Sequence, residues 1–158
     1  MNYESKVVSF IHPKRIIETA KILYLCGKDM AVKNDLHHWD NSKIKTLAVV
    51  LYGLLRNKTY LVFDEKEAIA TFSIKKQNKE LHFNKLATVP ECVGKGVGTW
   101  CMNRIEQIAK DEGCSSVSME VYDRSHHAKE FYLHRGYVVC GEVKTRKYTE
   151  YKMLKDLE

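Results

Sequence analysis

Apolar positions recur along this chain at two different periods, and the change of period divides it into segments. Val7 to Ile11 reads as a short β-like run. His12-Pro13 then opens a helix, since proline suits the first helical position, where no backbone N–H is needed. Ile16, Ile17, Ala20, Leu23 and Tyr24 follow at helical spacing, and Gly27 can end that helix. A polar stretch from Lys33 to Ser42 carries His37, His38 and Trp39. A second helix is expected from about Ser42 to Arg56, with the apolar stripe Ile44, Leu47, Ala48, Leu51, Leu54 and Leu55.

The period then shortens to two. Thr59 to Phe63, Ala68 to Lys75 and Leu81 to Thr88 read as an antiparallel meander, joined by the polar turns Asp64 to Glu67 and Gln77 to Lys79. A glycine-rich turn leads into a helix from about Val97 to Glu112. Its inner face is Val97, Cys101, Ile105 and Ile108, and Gly113 ends it. Val117 to Tyr122 is a strand, and Ser125 to Arg135 is a short helix stopped by Gly136. Strands near Tyr137 to Val143 and Tyr148 to Leu154 close the chain. The order β-αα-βββ-α-β-α-ββ indicates an α+β architecture in one domain, residues 1–158, without repeats or linkers.

The 158 residues are enough to bury a core without disulfides or metals. Five cysteines, Cys26, Cys92, Cys101, Cys114 and Cys140, contain no C-x-x-C pair, so they read as reduced thiols and not as zinc ligands. The histidines form no ligand set with metal spacing, and no metal is expected. No apolar run is long enough to span a membrane, and Met1 to Lys6 lacks a signal-peptide core, so a cytoplasmic protein without a membrane partner is expected. Twenty-six basic against 20 acidic residues give a net charge of +6. That surface favours anionic partners, but the basic residues are scattered, which argues against nucleic acid.

The segment Val93-Gly94-Lys95-Gly96-Val97-Gly98-Thr99 lies between a strand and an amphipathic helix. Glycines there admit positive φ and a close backbone approach, and the helix that follows offers unpaired N–H groups with the positive end of its dipole. Together these make a diphosphate cradle, to which Lys95 can add a charge. The pattern is neither a Walker A loop nor a Rossmann fingerprint, whose glycine spacings differ.

The run Leu86-Ala87-Thr88-Val89-Pro90-Glu91, followed by Gly94-Lys95-Gly96-Val97-Gly98, resembles the acetyl-CoA signature of the GNAT superfamily of N-acetyltransferases. The run Ala128-Lys129-Glu130-Phe131-Tyr132-Leu133-His134-Arg135-Gly136-Tyr137 resembles that family's second signature, A-x-x-F-Y-x-x-x-G-[FY]. The two stand in the family's order, and the element order agrees over nearly the whole chain. The resemblance implies a mixed, mostly antiparallel sheet of six to seven strands flanked by about four helices. It also implies transfer of an acetyl group from acetyl-CoA to a primary amine of a small molecule or protein. There are two departures. Val93 stands where the family carries Arg or Gln, and Ser125 where many members carry Asn.

By this resemblance, main-chain groups of Leu86, Ala87 and Thr88 hold the pantetheine arm and polarise the thioester carbonyl. Gly94, Lys95, Gly96, Val97, Gly98 and Thr99 bind the diphosphate, and Ser125 belongs to the same cofactor set. Tyr132 becomes the general acid, since a phenol is protonated at neutral pH and can donate to the departing thiolate. The base stays open between His82, Glu120 and a water chain. His82, Asn84 and Leu86 share one strand face by alternation. His37-His38-Trp39-Asp40 falls where this family borders its acceptor pocket. A non-catalytic acyl-CoA sensing module on the same fold is the alternative function, and the exposed edges of the final strands could pair in a homodimer.

Overall fold

The computed structural model describes residues 2–158. Its elements are β1 (Tyr3–Val8), α1 (Pro13–Asn34), α2 (Lys43–Arg56), β2 (Lys58–Asp64), β3 (Glu67–Gln77), β4 (Glu80–Thr88), a 3-10 turn (Pro90–Cys92), α3 (Val97–Asp111), β5 (Ser116–Tyr122), α4 (His126–His134), β6 (Val138–Lys144) and β7 (Thr149–Asp156). The strands follow the sheet order β1-β2-β3-β4-β5-β7-β6. The α+β class, the four helices and the mostly antiparallel sheet agree with the sequence reading. The described residues fall into two compact units. One holds the chain up to Lys75 with Lys85–Arg104, and the other holds Lys76–Asn84 with Ile105–Glu158.

In the first unit, β1 pairs antiparallel with β2 and β2 with β3. Val8, Ile16, Ile22, Leu23, Val50, Leu61 and Ala87 form its apolar cluster. Helix α1 does not stop at Gly27 but runs on to Asn34 and ends on Asp35, whose φ of 53° lets its N–H bond the Met30 carbonyl. Gly27 has a different task. A Cβ there would overlap the carbonyl oxygen of Trp39 and lie 2.9 Å from its carbonyl carbon, so the missing side chain is a notch for the α1–α2 connection. Lys28 Nζ meets Asp40 Oδ1 at 2.5 Å and ties the same corner down.

Helix α2 starts where Ser42 accepts a hydrogen bond from the Lys45 N–H at 3.1 Å, an ordinary N-cap. The face it buries is not the expected apolar stripe. Thr46, Val50 and Gly53 are buried, whereas Ile44 and Leu55 are 84 % and 73 % exposed. The inward positions are small, and Gly53 leaves room for Lys85, whose Nζ lies 2.9 Å from where a Cβ would be.

In the second unit, β5 pairs antiparallel with β7, and β7 with β6. The parallel register of β4 with β5 covers Glu80–His82 against Ser116–Ser118. Leu81, Phe83, Ile105, Ala109, Val117, Met119, Tyr137 and Met153 are all buried there. Every residue of β6 is exposed.

Candidate functional site

Chemistry-bearing residues collect in each unit. In the second, β4 and β5 present alternate polar side chains from paired positions. His82 Nε2 lies 2.8 Å from Glu120 Oε2, and His82 Nδ1 lies 3.0 Å from Ser118 Oγ. Ser118 in turn donates to Glu80, which faces Lys152 Nζ at 3.5 Å. A serine hydroxyl has one proton, and here it goes to Glu80, so Ser118 accepts from His82 Nδ1. Both ring nitrogens therefore face acceptors. The strands fix the imidazole at both ends, in a chain Glu80–Ser118–His82–Glu120.

The chain is shielded but not sealed, with side-chain exposures of 19 % for His82 and 28 % for Glu120. The His82 hydrogen bond holds the Glu120 carboxyl below its ordinary range against the opposing effect of burial, helped by the charges of His82 and Lys152. Glu150 moves the other way. Burial raises it first, and the neighbouring Glu120 charge adds to that. Asn84 Oδ1 is buried with no hydrogen-bond partner. The two base candidates of the sequence are thus in contact, but Ser118 and Glu80 were not foreseen. Ser118 lies 36 residues from His82 and 38 from Glu80, which hides the chain until the register is known.

Tyr132 sits on α4, half-buried, with ring centroids 5.3 Å from Phe131, 6.0 Å from Phe83 and 6.0 Å from Tyr137. The motif around it is an anchoring device. Gly136 takes φ 92°, which reverses the chain so that the Tyr137 N–H bonds the Tyr132 carbonyl at 3.1 Å. The buried Tyr137 hydroxyl then donates to Glu106 at 3.1 Å, which also holds Lys155 at 3.2 Å and Arg135 at 3.3 Å. Burial pushes the Tyr137 phenol well above its ordinary range, so it stays a donor. Glu106 is a third residue the sequence did not single out. Ser125 occupies the N-cap of α4 but makes no side-chain capping bond.

In the first unit, β4 continues through Lys85 to Leu86, Ala87 and Thr88. Lys85 takes φ 53°, a left-handed conformation unusual for a side-chain-bearing residue. Burial along the strand still follows period two, with Leu81, Phe83 and Ala87 buried and His82, Asn84 and Leu86 half-buried. Ala87 is buried, while Leu86 and Thr88 are half-buried. Beyond the 3-10 turn, Gly94 and Gly96 take φ 80° and 83°, and a Cβ at either would meet nothing within 4 Å. The glycines there answer a conformational need, and the space beside them is open to a ligand.

Helical bonding begins with the Trp100 N–H on the Gly96 carbonyl at 3.0 Å. The N–H groups of Val97, Gly98 and Thr99 therefore have no acceptor in the preceding turn of α3. The Lys95 N–H is committed to Cys92 at 3.3 Å, so Lys95 can contribute only its exposed side chain. Val97 itself is buried and anchors the helix start. Val93 is 63 % exposed. Open space, left-handed glycines and three unpaired N–H groups at a helix N-terminus fit a diphosphate.

Other residues resolve more simply. Burial raises the Cys101 thiol to about 12 and the Cys26 thiol to about 11, so neither is a nucleophile at neutral pH. Among the described residues, no group of three or more histidine, cysteine or acidic side chains could hold a metal, and no helix is long and apolar enough to cross a membrane. His37 is exposed beside Asp35 at 2.7 Å. Trp39 packs against the first unit's cluster as an anchor of the α1–α2 connection.

Comparison with known proteins follows the same line. Residues 30–137 match the acetyltransferase (GNAT) family. No curated protein is significantly similar in sequence to the chain. The PaiA N-acetyltransferase from Thermoplasma acidophilum, solved in complex with coenzyme A, superposes with a TM-score of 0.74 at 17 % identity, over 99 % of this chain and 100 % of that one. A GCN5-related N-acetyltransferase from Rhodopseudomonas palustris gives 0.77 at 20 % identity, over 99 % and 97 %. The ribosomal-protein-S18-alanine N-acetyltransferase from Escherichia coli gives 0.75 at 13 % identity, over 99 % and 95 %. At these identities the superpositions establish the fold.

Proposed function

The chain belongs to the acetyltransferase (GNAT) family, and on that premise we propose that it moves an acetyl group from acetyl-CoA directly to a primary amine. The observation that carries the reading is the turn of Gly94 and Gly96 at left-handed φ, opening onto the N-terminus of α3. Its free N–H groups take the diphosphate of CoA, with Lys95 adding charge from the rim. Main-chain groups of Leu86 to Thr88 hold the pantetheine arm. The solved relative with coenzyme A bound supports the same cofactor.

The chemistry then needs two proton movements. The amine nitrogen attacks the thioester carbonyl carbon, a C–N bond forms, and the C–S bond breaks. The proton lost from nitrogen goes to the His82–Glu120 pair, whose more exposed member, Glu120, is ionised beforehand and can accept it. The departing thiolate takes a proton from the Tyr132 hydroxyl. Ser118 and Glu80 position His82 and take no part in bond making.

Turnover tests the reading. Purified protein with acetyl-CoA and a panel of primary amines should release free CoA and form an acetylated amine. Tight acetyl-CoA binding with no transfer to any amine would instead favour a binding module, to which Val93 and Ser125, standing where the family carries Arg or Gln and Asn, give weight. Absence of acetyl-CoA binding would remove both readings.

A further inference from the structure

Lys85 is a cation in a setting that calls for a partner and supplies none. Its side chain runs inward between α2 and β2–β3, and a small cavity beside it is lined by Thr59, Thr71 and Ser73. Those hydroxyls are engaged elsewhere. Thr59 and Ser73 bond each other at 2.8 Å, and Thr71 donates to the Tyr60 carbonyl at 2.8 Å. Among the described residues, no carboxylate forms an ion pair with Lys85. A second cavity, of about 70 Å³, is lined by Leu23, Trp39, Asn41, Thr46, Val49 and Lys85. It has room for several non-hydrogen atoms. Thr46 is committed to the Ser42 carbonyl at 2.8 Å, which leaves Lys85, Asn41 and the indole N–H of Trp39 as the polar side-chain groups of the lining.

Lys85 is half-buried, so its charge has lost part of its hydration and a ligand that completes the pair is favoured there. From the cavity, its one cation and its one amide, we propose that this pocket is a carboxylate subsite and that the acetyl acceptor is an amine bearing a carboxylate. The proposal rests on the acetyl-transfer reading above. The ammonium and the Asn41 amide would each donate to a carboxylate oxygen, a charge-assisted arrangement, and the walls Leu23, Trp39 and Val49 would take the attached carbon. Gly53 belongs to the same device, since a side chain there would push the amine aside. Burial lowers the Lys85 amine from its ordinary range, and an arriving carboxylate would raise it again. Lys85 immediately precedes Leu86, which places the subsite beside the segment assigned to the acetyl end of the cofactor.

The test has a binding arm and a turnover arm. Sodium acetate, compared with sodium chloride at equal ionic strength, should raise the melting temperature of the intact protein, and Lys85→Met should abolish that rise. No difference between acetate and chloride in the unaltered protein overturns the subsite, whatever the variant does. In the turnover arm, 4-aminobutyrate should be acetylated with a KM at least tenfold below that of butylamine. Lys85→Met should erase that preference chiefly through KM. Equal use of both amines overturns the proposal while leaving acetyl transfer intact. Acetate binding without transfer to any amine keeps the subsite and removes the acetyl-transfer reading. A free amino acid and the end of a peptide share this chemistry. A short peptide carrying a free amine and a terminal carboxylate separates them, because it competes with acetate only if the pocket admits a chain.

Discussion

The glycine-rich turn and the His82–Glu120 chain, to which the proposed function assigns binding and proton transfer, are built in opposite ways. The turn is made of backbone. What it requires is the absence of Cβ atoms at Gly94 and Gly96 and the start of a helix, both encoded in consecutive residues. The proton chain is made of side chains, drawn from β4 and β5 and meeting only through the strand register. A backbone site tolerates the loss of neighbouring side chains, which is how the turn keeps its donors although Val93 brings no charge. A side-chain site tolerates little, because each member is held by its hydrogen bonds to the next.

The largest effect should come from the side-chain site. Glu120→Gln keeps size and removes the charge, and turnover should fall by about 10²- to 10⁴-fold, the range of a lost general base. Acetyl-CoA affinity should stay unchanged by calorimetry. A fall in affinity of the same size would break the separation between the two regions. Tyr132→Phe should lower turnover about ten- to a thousandfold, the scale of a lost acid, with folding barely altered because the ring keeps its neighbours. Near-full turnover with chemistry shown to be rate-limiting would remove Tyr132 from the mechanism.

Gly96→Val forces a β-branched residue to φ 83° and should raise the acetyl-CoA dissociation constant at least tenfold, about 1.4 kcal/mol. An unchanged constant in a folded variant would show that the turn does not hold the cofactor. Val93→Arg should tighten binding a few-fold through charge-assisted bonds to phosphate, less than the backbone provides. The smallest effect concerns stability. The Glu120 carboxyl is depressed in the folded chain, so its contribution is complete above the ordinary carboxylate range and is lost as pH falls through the depressed value. Glu120→Gln should therefore flatten the acid limb of melting temperature against pH, and parallel limbs would show that the pair with His82 contributes nothing.

What was legible in the sequence follows the same division. Contiguous signals survived: the turn, the Tyr132 motif and the order of elements. Burial on α2 did not, because Ile44, Leu51 and Leu55 form a helical stripe that solvent sees, while the small residues Thr46 and Gly53 make the close approach. Apolar periodicity measures amphipathicity and cannot say which face meets the sheet. The left-handed backbone of Lys85 was not legible, since such a residue in a strand leaves no mark in a sequence of ordinary strand formers. Ser118, Glu80 and Glu106 were invisible because their partners are set by tertiary pairing. Gly27 read as a helix end because a glycine that stops a helix and one that receives a neighbouring carbonyl look the same in one dimension.

That last glycine constrains how the chain can drift over generations. With the Trp39 carbonyl seated against its α-carbon, position 27 has no alternative occupant unless the corner at Trp39 is rebuilt in the same step. Even alanine, otherwise the mildest change in a helix, is closed to it. Most surface positions of α1 can wander freely. This one is coupled to a residue twelve places away, so the α1–α2 connection is inherited as a block, and its length and path change together or not at all.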